Sequence, residues 1–467
     1  MLKYISRDKT FYKAIIALSG PLVLQNLINN SLSMLDTFMV GRIGEEALAG
    51  VALANTVFFV VSLLTFGLQS GSMVLMSQYW GKSDTTTINR ILGIAFGLAG
   101  AASLIVALAV TFFPERVFSL TSNNQELVRI AADYARIVAF SQFLNSLTLI
   151  YIGAQRSIGN TKMGMGVLIL SMAANTFLNW VFIFGNLGAP AMGVKGAALA
   201  TLLARMLEFA AAAAYASRCT RLRLDFRAMI RPGVVIFKDF LRYSAPVAVN
   251  ETVWGFGFSL YSIIIGHMPN AVAGVAAYTI TLTIERLLSA VYFGVGSAAS
   301  IMVGRPLGAG DREGAHTAGV TILCMTVLFG VVASLAMLAI SMFIVIPLVF
   351  PLFGASEETM AFGRHMLLIM SIATPFKAFN FCNIVGVLRG GGDVRAGVFL
   401  DMGAMYGVAL PLGAVAGLAL NASVTVVFML FNLEEIVKLF FGYWRFSQKK
   451  WLRNVTREMA PTREGAP

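Results

Sequence analysis

Charge is scarce in this chain. Of 467 residues only 12% are Asp, Glu, Lys or Arg, 57% are hydrophobic, and mean hydropathy is +0.77. A soluble domain carries about a quarter charged residues, so a water-facing fold is excluded. Cysteine and histidine number three each. Cys219, Cys324 and Cys382 share no CxxC spacing, so neither a disulfide framework nor a metal cluster is implied. No Walker A sequence occurs, so no P-loop holds ATP. Acidic residues are outnumbered 23 to 35, giving a net charge of +12, yet no soluble basic face exists and no nucleic-acid partner is expected. Two GxGD strings, Gly308-Ala309-Gly310-Asp311 and Gly390-Gly391-Gly392-Asp393, resemble intramembrane aspartyl proteases, but that chemistry needs a second aspartate at matching depth. Both strings fall in expected short loops beside Arg312 and Arg395, where Gly ends one helix and Asp caps the next. No enzyme and no cofactor is expected.

What the chain has instead is long apolar runs. Each is about 20 residues or more, enough to cross a core of roughly 30 Å. Twelve spans fit: about 14–40, 48–79, 91–113, 130–153, 164–185, 195–216, 240–266, 272–303, 317–346, 362–387, 396–417 and 421–444. The expected fold is an all-α integral membrane protein of twelve transmembrane helices in two six-helix lobes. Residues 1–216 form the N-terminal lobe, 217–239 a basic linker, 240–446 the C-terminal lobe and 447–467 a tail. Lys3, Arg7, Lys9 and Lys13 lead directly into the first span, so no cleavable signal is expected. By loop position, 25 of the 35 basic residues lie on the side of the two termini, counting Arg156, Arg305 and Arg389 as loop residues. Only Arg42, Arg116, Arg129, Lys195 and Arg364 lie opposite. The positive-inside rule then puts both termini in the cytoplasm of a cell (inner) membrane.

The chain also repeats itself. Pro21 recurs as Pro246 and Gly41 as Gly266, both at 225 residues (246 − 21 and 266 − 41). After a slip of two, Gly67, Gly81 and Asp84 recur as Gly294, Gly308 and Asp311. Arg156 and Gly159 then pair with Arg389 and Gly392. Two homologous halves in a membrane are the mark of a transporter, because alternating access needs two bundles that rock about a central site.

Polar residues inside spans are costly and face a cavity or a partner. The first span carries Gln25, Asn26, Asn29, Asn30, Ser33, Asp36 and Thr37, of which Asn26, Asn29, Ser33 and Asp36 share one face. Helix-to-helix hydrogen bonding is the bland reading for any one asparagine; a stripe ending in a carboxylate calls for more. Asp36 lies five residues before Gly41, Asn179 six before Gly185, and Thr201 five after Gly196, so with Asn175 these side chains sit at similar depth. One carboxylate among amide and hydroxyl oxygens suits Na⁺, making Asp36 a metal ligand, or a proton carried by Asp36 itself. The alternative is a buried Asp merely satisfied by two asparagines. The 225-residue offset maps Gln25-Asn26 onto Asn250-Glu251. Glu251 is then a second cation site, an anchor for a cationic substrate, or a partner of Arg286, with Glu285 at similar depth. Asp401, Lys377 and the Arg205/Glu208 pair are weaker candidates, and Glu434, Glu435 and Lys438 read as an ion-paired face. Pro21 and Pro246 each remove a helical hydrogen bond and serve as hinges. Gly67 and Gly71 form GxxxG, a spacing common by chance among 44 glycines.

Several stretches, in order, resemble the MATE (multidrug and toxic compound extrusion) family, bacterial branch. They are Pro21-Leu22-Val23-Leu24-Gln25, Asp36-Thr37-Phe38-Met39-Val40-Gly41, Ala47-Leu48-Ala49-Gly50-Val51, Gln78-Tyr79-Trp80-Gly81-Lys82, Arg156 to Lys162, Gly193 to Ala198 and Leu388 to Asp393. The resemblance covers about residues 10–450. It implies two six-helix lobes around a V-shaped cavity and export of organic, often cationic, compounds in exchange for H⁺ or Na⁺. Asp36 matches the carboxylate to which the family's ion coupling is commonly assigned, Pro21 the proline credited with bending the first helix, Asn175 the fifth-helix asparagine and Glu251 the seventh-helix glutamate of the NorM-like subgroup. Asn179 stands where some members carry an aspartate, and the tenth-helix acid of that subgroup is missing from Pro375 to Asn380, where Lys377 stands. The expected function is a monomeric, cation-coupled (H⁺ or Na⁺) antiporter exporting organic cations, its cavity formed by Asn26, Asn29, Asn30, Ser33, Glu251, Glu285 and Arg286, its partners membrane lipids and small organic substrates. The rival is a flippase or exporter of lipid-linked or dedicated metabolites; the apparent acid excess in the spans favours cations.

Overall fold

The computed structural model describes residues 4–352 and 354–458. Its twelve long helices, in chain order, are α1 (Lys9–Gly41), α2 (Glu45–Gly81), α3 (Thr85–Phe112), α4 (Gln125–Ser157), α5 (Thr161–Phe184), α6 (Val194–Arg218), α7 (Val234–Gly266), α8 (Ala271–Gly308), α9 (Arg312–Leu352), α10 (Glu357–Leu388), α11 (Val394–Ala419) and α12 (Val424–Ser447). Ten are long and apolar enough to cross a membrane by length and composition. The exceptions, α7 and α12, carry Asn250 and Glu251, and Glu434, Glu435 and Lys438, in their middles. Helix is forced by the solvent, since lipid offers backbone N–H and C=O groups no partner. Side chains finish several ends. Asp84, Asn124, Asp311 and Ser423 each accept from a backbone N–H of the helix that follows.

Several helices outrun the apolar cores that announce them. α7 begins at Val234, inside the stretch expected as linker, and α8 runs on to Gly308. Hydropathy detects only the lipid-embedded part of a helix, while its hydrogen bonds continue into the headgroup layer. Asp393 departs from its expected capping role. It makes no cap bond and instead holds Arg445 (2.7 Å) and Arg453 (3.4 Å). The second half also contains four π-helical stretches, at Ser341–Val349, Cys382–Leu388, Met405–Ala409 and Val415–Ala419.

The halves touch on the side of the chain ends and separate on the far side. The two far-side apolar cores each draw on one half: Met39, Phe58 and Phe118 in the first, Tyr261, Phe350 and Phe431 in the second. Near the chain ends the cores mix. Ile236, Phe240 and Ala248 pack with Leu75 and Ile91, and Ile15 packs with Val303 and Leu323. Two facing lobes therefore form a V that is shut at the side of the chain ends.

Glycine makes the shut seam. A Cβ on Gly67 would lie 2.4 Å from the Ala248 Cα, and one on Gly71 2.5 Å from the Ser244 Cα. The Gly67-Gly71 GxxxG, dismissed above as chance, is thus a real α2–α7 crossing. The seam also obeys the repeat. Gly294 meets the Val23 backbone as Gly67 meets Ala248, and 294 − 67 = 227 while 248 − 23 = 225. Likewise Gly81 abuts the Arg305 carbonyl and Gly308 the Gln78 carbonyl, with 308 − 81 = 305 − 78 = 227. Each contact has a mate in the other half, as a pseudo-twofold interface requires.

The chain after α12 straps across this seam. Trp451 is buried against Gly319, Gly391 and Phe446 of the second half. Val455 N then donates to Gln78 Oε1 (2.8 Å), and Arg457 grips Asp239 through two bonds of 2.5 and 2.7 Å. Asp239 fixes the Arg457 guanidinium enough to raise its pKa above the ordinary arginine value.

Candidate functional site

The expected N-lobe cluster is contiguous. Asn179 Nδ2 of α5 donates to Asp36 Oδ1 of α1 at 2.6 Å and lies 3.0 Å from Asn175 Oδ1, one turn away. Asn175 Nδ2 in turn reaches the Thr201 hydroxyl of α6 at 3.4 Å. Asn179 Oδ1 is buried without a donor, and no Lys, Arg or His makes an ion pair with Asp36 among the described residues. Arg205, one turn from Thr201, is occupied by Glu208 at 2.5 Å, and Glu208 also accepts from Ser171 (2.7 Å). The cluster is a carboxylate and an amide oxygen with open acceptor capacity, suited to a proton or a small hard cation.

Between the lobes lies a cavity of about 440 Å³, lined from both halves. Asn26, Asn29, Asn30, Glu251, Glu285 and Arg286 line it, as expected. Ser33 does not; it is exposed one turn further out. Asn30 donates to the Arg286 carbonyl at 2.8 Å, a bond across the lobes. Gln25 is buried, donating to the Thr161 carbonyl (2.7 Å) and accepting from Arg156. Pro21 and Pro246 each lie inside an unbroken helix, below the cavity on the seam side.

The C-lobe wall is an ionic network. Arg389, 1% exposed, donates to Glu251 Oε1 at 2.6 Å and lies 3.4 Å from Asp401 Oδ2. Lys438 sits 3.7 Å from Asp401, 3.4 Å from Glu434 and 3.9 Å from Glu435. Asn250 bonds Asp401 (3.3 Å) and Asn380 bonds Glu435 (2.8 Å). Lys377 pairs with Glu285 at 2.7 Å. Counting Glu251, Glu285, Asp401, Glu434 and Glu435 against Lys377, Arg389 and Lys438 gives 5 − 3 for the ion-paired groups alone; Arg286, next to Glu285 on α8 of the same lobe, brings the wall to 5 − 4, one charge negative when all are ionised.

Three expectations change here. Glu251 pairs with Arg389, not Arg286, because Arg389, in helical backbone capping the end of α10, is packed inside against α7 and α11 instead of lying in a loop. The Glu434-Glu435-Lys438 face, read as a self-contained ion-paired surface, points into the cavity and joins Asp401. The acid excess that favoured cations is absent from the cavity taken whole, since Arg156 and Arg286 also line it and restore five bases to five acids. What remains is a modest segregation: α7, α10, α11 and α12 bring four acids against three bases, while Arg286 beside Glu285 on α8 and Arg156 at the end of α4 have no ion pair among the described residues. The signal for Arg389 was in the chain, as the repeat partner of Arg156, which meets Gln25 at the corresponding depth of the first half.

The comparisons with known proteins follow this geometry. The MatE family model matches residues 21–181 and again 246–415, with starts 225 residues apart (246 − 21). A probable multidrug resistance protein NorM of Agrobacterium fabrum is 25% identical over 388 residues, 82% of each chain. Its namesake in Mesorhizobium japonicum is 28% identical over 398 residues, again 82% of each. A MOP superfamily transporter from Pyrococcus furiosus superposes with a TM-score of 0.82 at 22% identity, covering 94% of this chain and 96% of that one.

Proposed function

The chain belongs to the MatE family, whose members are multi-pass membrane efflux transporters, and we propose that it is a cation-coupled antiporter for amphipathic organic cations. With the basic side inward, both termini face the cytoplasm of the inner membrane and the V opens outward. Outside cation, H⁺ or Na⁺, loads the Asp36–Asn179 cluster. Substrate leaves the cavity, and the loaded form closes outward and opens inward at the glycine seam. Pro21, in α1 between seam and cluster, is placed to bend that helix as Asp36 changes charge, and Pro246 occupies the equivalent point of α7. Exchange requires that cation and substrate prefer different conformations; binding both equally would shift nothing.

The observation that carries the coupling role is the unshared carboxylate. Asp36 has one neutral donor and no ion-pair partner among the described residues, beside an amide oxygen that also lacks a donor. The C-lobe wall, one charge negative in all, supports a cationic substrate and offers a second place for cation exchange at Glu251 and Asp401. A second reading has its own support. Arg156 and Arg286, lining the cavity without ion pairs among the described residues, suit the phosphate of a lipid-linked cargo.

The deciding experiment is transport of a fluorescent organic cation in inverted or reconstituted vesicles, under a pH gradient and then a Na⁺ gradient, with wild type and Asp36→Asn. Gradient-driven transport that vanishes in Asp36→Asn is expected. Undiminished transport in the variant moves coupling to the Glu251 network. Absence of cation transport under either gradient, with movement of a lipid-linked phosphate, replaces the cationic reading with the flippase one.

A further inference from the structure

A second groove lies away from the central cavity, at the back of the N-terminal lobe. It measures about 790 Å³ and runs between α3, α4, α6 and the chain that joins α6 to α7. Its floor is apolar, from Phe96, Leu147, Phe209, Ala212, Ala213 and Ala216, and its mouth carries Arg218 and Arg223. We propose that this groove binds one anionic phospholipid of the leaflet on the side of the chain ends, its acyl chain along α6 and its phosphate between Arg218 and Arg223. The proposal is independent of the transport reading.

Position supports it first. From Arg218 at the end of α6 to Phe209 is 218 − 209 = 9 residues, about 13 Å of helix, so the groove descends from the headgroup layer well into the acyl layer. A soluble anion would have no use for that apolar floor, and a neutral lipid none for the arginines.

Charge supports it second. Arg218 and Arg223 are exposed, and neither makes an ion pair among the described residues. The acids of this stretch are committed elsewhere. Asp225 caps the short helix Phe226–Ile230 through the N–H groups of Arg227 and Ala228, at 3.0 and 3.1 Å, and Asp239 is held by Arg457.

The mouth is also built in place, third. Asn89, 2% exposed, donates to the Arg223 carbonyl at 3.0 Å and accepts from Asp225 N at 3.1 Å. Leu222, between the arginines, is fully buried in the mixed core near the chain ends. Beside it, Phe226–Ile230 exposes Phe226 (66%) and Ile230 (78%), each followed by an arginine (Arg227 and Arg231), the pattern of a segment lying in the headgroup boundary.

The test is native mass spectrometry of the full-length protein in detergent, titrated with phosphatidylglycerol or phosphatidylcholine of identical chains. Wild type is expected to retain one phosphatidylglycerol in preference to phosphatidylcholine. Each basic residue near a lipid surface is worth about a five-fold preference, so Arg218→Gln with Arg223→Gln should lower it by about 25-fold. Arg221→Gln with Arg227→Gln, which leaves the groove lining intact, should keep most of it. Ala213→Trp should abolish retention with both arginines present, and an unchanged melting temperature will show that the variant folds. Equal retention of the two lipids, no effect of the Arg218/Arg223 variant, or displacement of the lipid by millimolar inorganic phosphate would each overturn the proposal.

Discussion

Gly71→Ala should open the seam. The added Cβ would stand 2.5 Å from the Ser244 Cα, whereas ordinary contact begins near 3.4 Å, so the helices must part by about 3.4 − 2.5 = 0.9 Å. The obstacle is backbone, so no side chain can swing aside. Overpacking of this kind costs about 1–3 kcal/mol. Only the seam-closed state bears that cost, so the ratio of closed to open should fall by roughly 5- to 150-fold at about 1.4 kcal/mol per decade. The helix-propensity gain of Ala over Gly, about 0.5–1 kcal/mol, stabilises both states alike and cancels. Gly97→Ala is the control, because a Cβ there meets nothing within 4 Å. Spin labels at Thr86 and Glu313, exposed beside Asp84 and Asp311 on opposite sides of the seam, report the distance in a background without native cysteines. Gly71→Ala should populate a longer distance and Gly97→Ala should not. A folded Gly71→Ala protein with the wild-type distance distribution would refute the claim that this crossing separates during the cycle.

Other outcomes follow from other contacts. Arg389→Gln takes from Glu251 its ion-pair partner, while Asp401 keeps Lys438 and Asn250, and should cost about 3–5 kcal/mol of stability at most. Adding Glu251→Gln should recover about 1–3 kcal/mol beyond additivity, read by denaturation of all four proteins of the cycle; strict additivity would mean that the 2.6 Å pair is energetically idle. Deleting the chain after Gln448 removes the Val455 and Arg453 bonds to Gln78, and the same spin labels should then show more open seam. Asp8 caps α1, and the Thr10 hydroxyl and amide hold its carboxyl below the usual range. Its contribution is therefore present above the ordinary carboxylate pKa and fades as pH falls through the lower folded value. Protection of the 9–12 amides from hydrogen exchange, relative to their intrinsic rates, should fall there in wild type, while Asp8→Asn should flatten that dependence.

Much of the architecture was legible because a bilayer imposes a simple code. Apolar runs, the 225-residue offset and glycine punctuation predict twelve helices in two halves, and twelve long helices are present. The proximity of Asp36, Asn179, Asn175 and Thr201 was legible too, since distance from a helix end converts directly to depth. The opposite wall resisted that arithmetic. Arg389 sits at a helix end among glycines, where charge ordinarily meets water, and only the packing of α7 and α11 around it makes it internal. Glu434 and Lys438 satisfy a local i,i+4 pattern, which hides that the same ammonium also faces Asp401 on another helix. The seam was illegible for a different reason. Among 44 glycines nothing local distinguishes Gly71 from Gly97; the difference lies wholly in what stands opposite.

Site and seam are joined by a single peptide unit. Arg389 holds Glu251 and Asp401, while the next residue, Gly390, offers its carbonyl to Gln78 Nε2 of the other half at 3.1 Å and packs on the Ser300 backbone. Gln78 is also the residue that Val455 and Arg453 engage from the strap, and its carbonyl abuts Gly308. A cation that displaced Arg389 from either carboxylate, as proposed, would therefore act next to the contacts that keep the seam shut. The N-lobe cluster has no such direct link. Asp36 is 36 − 23 = 13 residues along α1 from Val23, where Gly294 closes the seam, about 20 Å of helix with Asn30 bonded across the lobes between them. In the proposed cycle Asp36 would act through α1 as a body, whereas Arg389 would act locally. The two walls are thus mechanically unequal although the chain that builds them is a repeat.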